Sequence, residues 1–519
     1  MGEEIKSQQK FQRSRNVGRN VVFGLLNRFF ALLMPFIVRT VLIYRFGAIY
    51  LGMNSLLASV FHVLNLAELG FGTAVVYSLY RPVAEQDTET VCSYLGTYRR
   101  IYRTIGGVIL VLGLAVMPFF PSLLKGKEVP TDMDVSVWYL IFLADAVASY
   151  LLFGYKTAIP SALQREDIIS KINTVVLICK SVVQVICLLF TDNFYFYLLS
   201  SLLFTVIRNF LISFMVSRYY PQYVCKGGIS HVQSAELKKL VYGLALSKLR
   251  GVSRHAIDNI CITAFIGLTM TAIYDNYFCI HSAVIAIMGI FSSAMTPSVG
   301  NSIATESTEK TWRDMRRFNF IYMLLAGWAT ICLLCLYQPF MKLWVGPKLM
   351  LGYGEVIALS LYFYVLKMGD MRWIYFQGAG LWWKARYIVI AEFLCNVLLN
   401  ILLAKYWGVL GIIIATLISL FFINFIGEAW VLFKEYFKNG KLGTFFADQA
   451  RYFLVTTLLA ILSIVVCDKI SAVGIIELLA RGILCTGIAL TGYFLVYHRT
   501  MQYQDAMNWI AKRVNIFIR

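Results

Sequence analysis

The chain has 519 residues, of which 59% are hydrophobic and only 14% are charged. A soluble protein of this length needs more polar surface to cover its core, so lipid is the expected solvent for most of the chain. The formal net charge is +19, but the basic residues are spread over many loops instead of being gathered on one face. This distribution argues against a nucleic-acid partner.

Apolar runs of about 20 residues mark the predicted membrane-spanning helices. In chain order there are fourteen of them, near 17–44, 50–79, 104–124, 135–155, 171–190, 195–218, 241–267, 273–300, 318–338, 352–375, 385–404, 406–432, 451–468 and 475–498.

The predicted fold class is therefore an all-α integral membrane protein with two six-helix lobes and two extra C-terminal helices. Such paired lobes are common in transporters. The predicted parts are a cytoplasmic tail at 1–16, the first lobe at 17–218, a cytoplasmic loop at 219–240, the second lobe at 241–434, two helices within 435–498, and a cytoplasmic amphipathic tail at 499–519.

Lysine and arginine residues predict the orientation of these spans. When the N-terminus is placed in the cytoplasm, the inner loops hold most of the basic residues, including Arg99, Arg165, Arg316 and Lys438. This positive-inside pattern requires an even number of spans with both termini in the cytoplasm. The expected location is a cytoplasmic membrane, which the chain crosses many times.

Eleven cysteines lie mostly inside the apolar runs. Cys332 and Cys335 form a CxxC pattern, but within the run ICLLCLY. Cysteine is used here as a small hydrophobic residue, which is not typical of a disulfide framework. We therefore expect no metal site and no cofactor, and the absence of a GxxxxGK[ST] loop argues against ATP hydrolysis.

Charged residues inside the predicted spans are the candidate functional residues, because a charge near the bilayer centre costs roughly 3 kcal/mol or more. Each should face a cavity or a partner. The candidates for binding an anionic substrate are Arg28, Arg39, Lys180, Arg208, Arg254 and Lys367. The candidates for ion coupling or ion pairing are Asp145, Asp258, Glu392 and the less central Glu68.

Two groups of bases are expected to act on an anion. Arg28 and Arg39 are eleven residues apart, so on one helix they point the same way, about 16 Å apart. They would form a column for an anion, unless Arg39 extends to the outer head groups. Lys180 and Arg208 have no acidic partner nearby in sequence, and Asp145 is the candidate partner from the fourth span.

Two further bases have an acidic residue close by in sequence. Arg254 lies four residues before Asp258, and Lys367 lies three before Asp370. Residues at these spacings meet on one face of a helix. Each pair is therefore either a structural ion pair or a pair that opens when an anion competes for the base.

Two long segments resemble a known family. PFIVRTVLIYRFGAIYLGMNSLLASVFHVLNLAELGFGTAVVYSLYRPVAEQD resembles the N-terminal signature of bacterial polysaccharide flippases, the Wzx-like branch of the MOP superfamily. DNICITAFIGLTMTAIYDNYFCIHSAVIAIMGIFSSAMTPSVGNSIATES looks like the signature that opens their second lobe, and QPFMKLWVG is similar to the family as well.

The resemblance implies a fourteen-helix, MATE-like fold and a transporter, not an enzyme. Its substrate would be a polyprenyl-diphosphate oligosaccharide, moved from the inner to the outer leaflet of the bacterial cytoplasmic membrane for O-antigen or capsule assembly. The implied partners are membrane lipids, H⁺ or Na⁺ as a coupling ion, and polysaccharide polymerase or assembly proteins. The intramembrane bases suit this substrate, because a diphosphate needs desolvated cations in place of water.

Three other functions compete with this prediction. A MATE-type multidrug or metabolite antiporter would favour an acidic lumen. Without Arg39 and Glu68, which lie less centrally, the charges near the bilayer centre are five bases and three acids. A membrane polymerase or glycosyltransferase usually carries a large outer loop or a soluble domain, and the outer loops here are short. A passive scaffold gains little from charges inside the membrane. The flippase is therefore the prediction and the antiporter the alternative.

Overall fold

The structure is a computed structural model that describes the backbone of residues 2–68, 70–438, 441–470 and 473–518. Side chains are described between residues 18 and 511, except at 69, 243, 246–248, 250, 252–253, 439–440 and 471–472.

Within these ranges the chain forms helices and no strand. The α-helices are α1 (Gly2–Phe46), α2 (Ala48–Leu64), α3 (Phe71–Ala84), α4 (Thr88–Val116), α5 (Phe120–Leu123), α6 (Val135–Leu151), α7 (Ala158–Ala162), α8 (Glu166–Phe190), α9 (Tyr195–Tyr219), α10 (His231–Ser253), α11 (Ala256–Phe265), α12 (Leu268–Thr305), α13 (Thr308–Trp344), α14 (Tyr353–Met368), α15 (Asp370–Gly378), α16 (Arg386–Ile418), α17 (Ile426–Leu432), α18 (Leu442–Cys467), α19 (Ile475–Tyr497) and α20 (Met501–Ile518). Two π-helical segments, Ser419–Phe425 and Phe433–Phe437, flank α17.

Local sequence explains where several helices begin and bend. The Asp87 carboxylate accepts the backbone N–H of Thr90 at 3.0 Å and starts α4. Ser230 and Gln233 form a capping box at the start of α10. Gly408 has φ 55° and ψ −131°, which kinks α16 two residues after the predicted start of the span at 406–432.

In the described part of the chain, ten helical stretches are long and apolar enough to cross a membrane. The bent pair Val135–Leu151 and Gly154–Ala162, at 51°, raises the number to eleven. Each of the fourteen predicted spans falls mostly on helical residues in the described part of the chain, but one stretch, Leu381–Phe437, contains two of them. The spans near 241–267 and 352–375 are each divided between two shorter helices. A multi-pass helical membrane protein is confirmed, while the count of fourteen and the cytoplasmic termini stay predictions.

The N-terminal unit comprises residues 1–272. In this unit α1 packs along α8, α6 packs against both α4 and α9, and α2 lies against α11. Helices α3 and α10 share an apolar cluster that includes Val75, Leu79 and Leu237. Gly70, with φ 78°, precedes α3, and a Cβ there would lie 2.7 Å from Cβ of Leu244. Only glycine lets the chain turn this close to α10.

The C-terminal unit comprises residues 273–519. Its central element is α13, which packs against α14, α18, α19 and α20. An ion pair between Arg317 and Asp505, at 2.6 Å, and an edge-on contact between the rings of Phe318 and Trp509 hold α20 against α13. The predicted amphipathic tail therefore packs on protein over this part of its length.

The division between the units falls inside α12, after residue 272. The sequence analysis placed the boundary between the lobes at 219–240 instead. Helix α10 follows that loop but packs on α3 of the N-terminal unit. The predicted lobe and tail boundaries stay predictions.

Candidate functional site

A polar cluster in the N-terminal unit surrounds Glu68, which lies in the single 3₁₀ turn between α2 and α3. The Tyr102 hydroxyl of α4 donates to Glu68 Oε1 at 3.4 Å. The Tyr98 ring lies 4.4 Å from the Tyr102 ring, and the Tyr150 ring of α6 lies 5.4 Å from the Tyr102 ring. The predicted intramembrane carboxylate therefore faces a group of tyrosines, as its charge requires.

Gly72 makes room for this cluster. A Cβ at Gly72 would lie 2.8 Å from the Tyr98 hydroxyl and 3.2 Å from Glu68 Oε1. The first distance is shorter than any normal contact, so a larger residue would displace the tyrosine. The GFG stretch thus keeps the start of α3 close to the carboxylate.

Arg208 extends this cluster from α9. Its Nε donates to Asn173 Oδ1 of α8 at 2.7 Å, and Nη1 donates to Asn209 Oδ1 at 3.4 Å. The phenol of Tyr102 lies within electrostatic reach of the guanidinium. Among the described side chains no carboxylate pairs with Arg208, and a guanidinium has five N–H donors. Its charge is oriented by amides and is not neutralised.

Lys180 of α8 lies in the same unit and is half-buried. Asp145 of α6, the candidate partner, lies within electrostatic reach of it. One buried carboxylate oxygen of Asp145 has no hydrogen-bond partner among the described side chains. The two charges are therefore close without forming a direct ion pair.

Arg28 and Arg39 both lie on α1. Arg28 is exposed, and its neighbour Asn27 accepts a hydrogen bond from Thr174 Oγ1 of α8 at 3.3 Å. Arg39 is half-buried and lies within electrostatic reach of the Tyr197 phenol of α9. The structure thus places both arginines on a helix that borders the α8–α9 pair, and their joint use as a column stays a prediction.

Arg254 and Asp258 do not lie on one continuous helix, because α10 ends at Ser253 and α11 begins at Ala256. Asp258 is fully buried, and its neighbour Asn259 donates to Ser59 Oγ of α2 at 3.0 Å. The spacing argument assumed an unbroken helix, so the pairing of Arg254 with Asp258 stays a prediction without that support.

Lys367 and Asp370 do meet, in the C-terminal unit. The Lys367 ammonium lies 2.8 Å from Asp370 Oδ2, and the side chain of Lys367 is buried. The Tyr322 hydroxyl of α13 donates to the same carboxylate oxygen. This base is neutralised by a carboxylate, which fits the structural alternative for the pair.

Glu392 belongs to a buried network that the sequence analysis missed. Arg372 of α15 donates to Glu428 Oε2 at 2.7 Å and to Asn424 Oδ1 at 3.1 Å. Asn424 in turn donates to Glu392 Oε2 at 2.9 Å. Arg372, Glu392 and Glu428 are each at most 2% exposed. The Arg372 guanidinium is therefore bonded directly to the Glu428 carboxylate and is linked to the Glu392 carboxylate through the amide of Asn424.

The π-helical segment Ser419–Phe425 explains this arrangement. A π-helix shifts its hydrogen bonds by one residue, which leaves backbone carbonyls available to other donors. Arg372 Nη1 donates to the carbonyls of Asn424 and Phe425 at 3.3 and 2.6 Å. The sequence signal was present, since Arg372 and Glu428 are charges within the apolar runs MRWIYF and FIGEAWVLF.

Comparison with known proteins identifies the fold. No protein-family model matches the sequence, and no curated protein matches it. A solved structure of a multidrug resistance MATE family transporter of the MOP superfamily, in an inward-facing conformation, matches with a TM-score of 0.62 at 15% identity, over 79% of this chain and 94% of that one.

Two further structures extend this likeness. Lipid II flippase MurJ in an inward closed conformation matches with a TM-score of 0.65 at 14% identity, over 92% of this chain and 99% of that one. A MOP superfamily transporter from Pyrococcus furiosus matches with a TM-score of 0.51 at 14% identity, over 81% and 96%. The chain therefore has the MATE/MurJ-like fold of MOP superfamily transporters.

Proposed function

We propose that this protein is a flippase of the bacterial cytoplasmic membrane. It moves a polyprenyl-diphosphate-linked oligosaccharide from the inner to the outer leaflet for the assembly of a surface polysaccharide. Alternating access of a cationic interior to the two sides of the membrane is the proposed mechanism.

The observation that carries the proposal is that Arg208 donates its hydrogen bonds to neutral side chains. Its guanidinium is held by the amide oxygens of Asn173 and Asn209 at 2.7 and 3.4 Å. Neutral acceptors fix the direction of the guanidinium but leave its positive charge for an outside anion. A diphosphate group is a fitting anion, because arginine binds phosphate oxygens with two parallel N–H donors.

The surroundings of Arg208 support the same substrate. Tyr102, which is half-buried and packs against the buried rings of Tyr98 and Tyr150, places a hydroxyl group near the cationic site, and a hydroxyl suits a sugar. Arg28 and Lys180, on α1 and α8 of the same unit, add positive charge. The extent of the match to a lipid II flippase, 92% of this chain against 79% for the MATE transporter, supports a lipid-linked substrate.

Ion coupling is part of the proposal. Glu428 meets Arg372 directly, and Glu392 is linked to it through the amide of Asn424. Buried carboxylates inside a membrane protein are common sites of H⁺ and Na⁺ binding. We assign the coupling ion to this network in the C-terminal unit.

Ligand binding by the purified protein tests the proposal. Native mass spectrometry would compare a polyprenyl-diphosphate oligosaccharide, its dephosphorylated analogue and a cationic drug. We expect binding that requires the diphosphate and weakens in Arg28→Ala and Arg208→Ala. Lys405→Ala is the matched control, since Lys405 is an exposed base of α16. Equal binding of both lipids, or no loss in the two variants, would refute the proposal.

The alternative is a MATE-type cation-coupled antiporter for drugs or metabolites. The buried carboxylates Glu392 and Glu428 favour it, because acids inside the membrane attract cationic compounds and coupling ions. In the same experiment, binding of the cationic drug without binding of the glycolipid would select this alternative.

A further inference from the structure

Three cysteines from distant parts of the sequence meet in the C-terminal unit. Cys335 lies on α13, Cys467 ends α18, and Cys485 lies on α19. Their three sulfur atoms all lie within 4.8 Å of one another, and Cys467 Sγ and Cys485 Sγ are 3.6 Å apart. All three side chains are buried.

These separations match a thiolate metal site. With Zn–S bonds of about 2.3 Å, two sulfurs of a tetrahedral site lie about 3.8 Å apart. The observed spacing therefore needs only small side-chain movements to close around an ion. Three thiols also supply the soft ligands that d¹⁰ ions such as Zn²⁺ and Cu⁺ prefer.

The site can be reached from a polar pocket. Cys335 and Cys467 line a pocket of about 320 Å³ whose wall also includes Asp468, Glu477 and Arg481. The pocket therefore gives an ion a partly polar route to the thiols, with carboxylate oxygens of Asp468 and Glu477 beside the cations Lys342 and Arg481.

A cation lies beside the thiols. Three thiolates leave one net negative charge around Zn²⁺ and two around Cu⁺, and a nearby guanidinium would stabilise either. Arg481 lies within electrostatic reach of Cys467 and Cys485. It is held in place by Glu477 at 2.9 Å and lies 3.9 Å from Asp468.

We propose that Cys335, Cys467 and Cys485 bind a soft d¹⁰ metal ion, Zn²⁺ or Cu⁺. The bound ion ties α18 and α19 to α13. Cys332, which lies one helical turn before Cys335 and near the sulfurs of Cys467 and Cys485, is the nearest source of a fourth thiol. The CxxC pattern of α13 then has a chemical role in addition to its packing role.

Metal binding by the full chain in detergent tests this site. The protein would be stripped with a chelator under reducing conditions and then loaded separately with Zn²⁺ and with Cu⁺. We expect about one tightly bound ion per chain by elemental mass spectrometry, lost in Cys467→Ser and Cys485→Ser. Cys179→Ser is the matched control, because Cys179 is an exposed cysteine of α8. The arm with the tighter binding identifies the ion.

A spectroscopic titration of the unaltered protein keeps the test decisive if a variant fails to fold. Cd²⁺ bound by thiolates gives an ultraviolet charge-transfer band, and we expect this band to saturate at about one equivalent. Metal content that is the same in Cys467→Ser and in the unaltered chain would overturn the proposal. So would a Cd²⁺ titration with no thiolate band.

Discussion

The two units treat their intramembrane cations in different ways. In the N-terminal unit, Arg208 donates to side-chain amides, and Lys156 donates to the hydroxyls of Ser213 and Ser217 at 2.9 and 2.7 Å. In the C-terminal unit, Lys367 and Arg372 meet the carboxylates of Asp370 and Glu428 at 2.8 and 2.7 Å.

The type of partner decides whether a buried cation has a structural role or can bind an anion. A carboxylate cancels the charge, so the pair fastens one helix to another, as α15 is fastened to α17. An amide or hydroxyl only orients the charge, so an anion can still use it. The N-terminal unit also contains carboxylate-paired bases, since the buried carboxylate of Asp167 meets Arg19, Arg165 and Lys171.

The largest effect is expected for Arg372→Ala. This change removes the guanidinium 2.7 Å from the buried Glu428 carboxylate and the donor to two carbonyls of the π-helical segment. Breaking a buried ion pair from one side costs about 3–5 kcal/mol. Thermal unfolding in detergent should therefore show a large loss of stability, together with less folded protein in the membrane.

Arg451→Ala is the matched control for this prediction, since Arg451 is an exposed arginine of α18. Arg372→Lys should recover only part of the stability, because an ammonium cannot reach the carboxylate and both carbonyls as a planar guanidinium does. If Arg372→Ala and Arg451→Ala unfold at the same temperature, the network does not hold the C-terminal unit together.

Arg208→Ala should have the opposite effect, with little loss of stability and a large loss of affinity for the diphosphate lipid. It removes hydrogen bonds to two neutral amides, worth about 1 kcal/mol each, so most of the protein should stay folded. A charge-assisted contact to a phosphate is worth about 1.5–3 kcal/mol, so affinity for the diphosphate lipid should fall by roughly a hundredfold. Surface glycan in cells that depend on this chain is the second measurement. Normal glycan at normal protein levels would show that Arg208 is not part of the site.

The pair Lys367–Asp370 should behave as a structural unit. Lys367→Met alone leaves Asp370 with the Tyr322 hydroxyl and should destabilise the chain, whereas Lys367→Met with Asp370→Asn should recover part of the loss. The coupling in this double-mutant cycle should be roughly 1–2 kcal/mol, and diphosphate binding should not change in the double variant. If the two substitutions have additive effects on stability, Lys367 and Asp370 do not stabilise each other and the pair is not a structural unit.

The sequence was sufficient for the parts of the fold that depend on composition. Apolar runs predicted helices at all fourteen positions, since a chain in lipid must satisfy its backbone hydrogen bonds within each segment. Breaks inside these helices were harder to predict. The interruption between α10 and α11, and that between α14 and α15 at Gly369, depend on packing between helices that no short sequence pattern records.

The candidate site was predictable only one residue at a time. The high cost of charge in a bilayer identified Glu68, Arg208, Lys367 and Glu392. Spacing predicted the contact of Lys367 with Asp370, because both residues lie within one turn. Contacts between distant helices, such as Arg208 with Asn173 or Arg372 with Glu428, have no local signal. The same is true of the three cysteines, whose meeting depends on how α13, α18 and α19 pack.

The substitution with the smallest expected effect is Asn173→Asp. It tests the contrast between the two units most directly, because it gives Arg208 a carboxylate partner like those of Lys367 and Arg372. Asn173→Asp would place a carboxylate where the amide oxygen now lies 2.7 Å from Arg208 Nε. The new ion pair should keep the fold at least as stable, while the neutralised guanidinium loses its attraction for a diphosphate. We expect roughly tenfold weaker binding of the diphosphate lipid, equivalent to about 1.4 kcal/mol.

Asn173→Ala separates the two causes of such a loss. It removes the amide without adding charge, so Arg208 would be less well oriented but still cationic, and binding should weaken less than in Asn173→Asp. If the two variants bind the lipid equally well, orientation of the guanidinium matters and its free charge does not. The contrast between amide-held and carboxylate-held cations would then be a feature of helix packing alone.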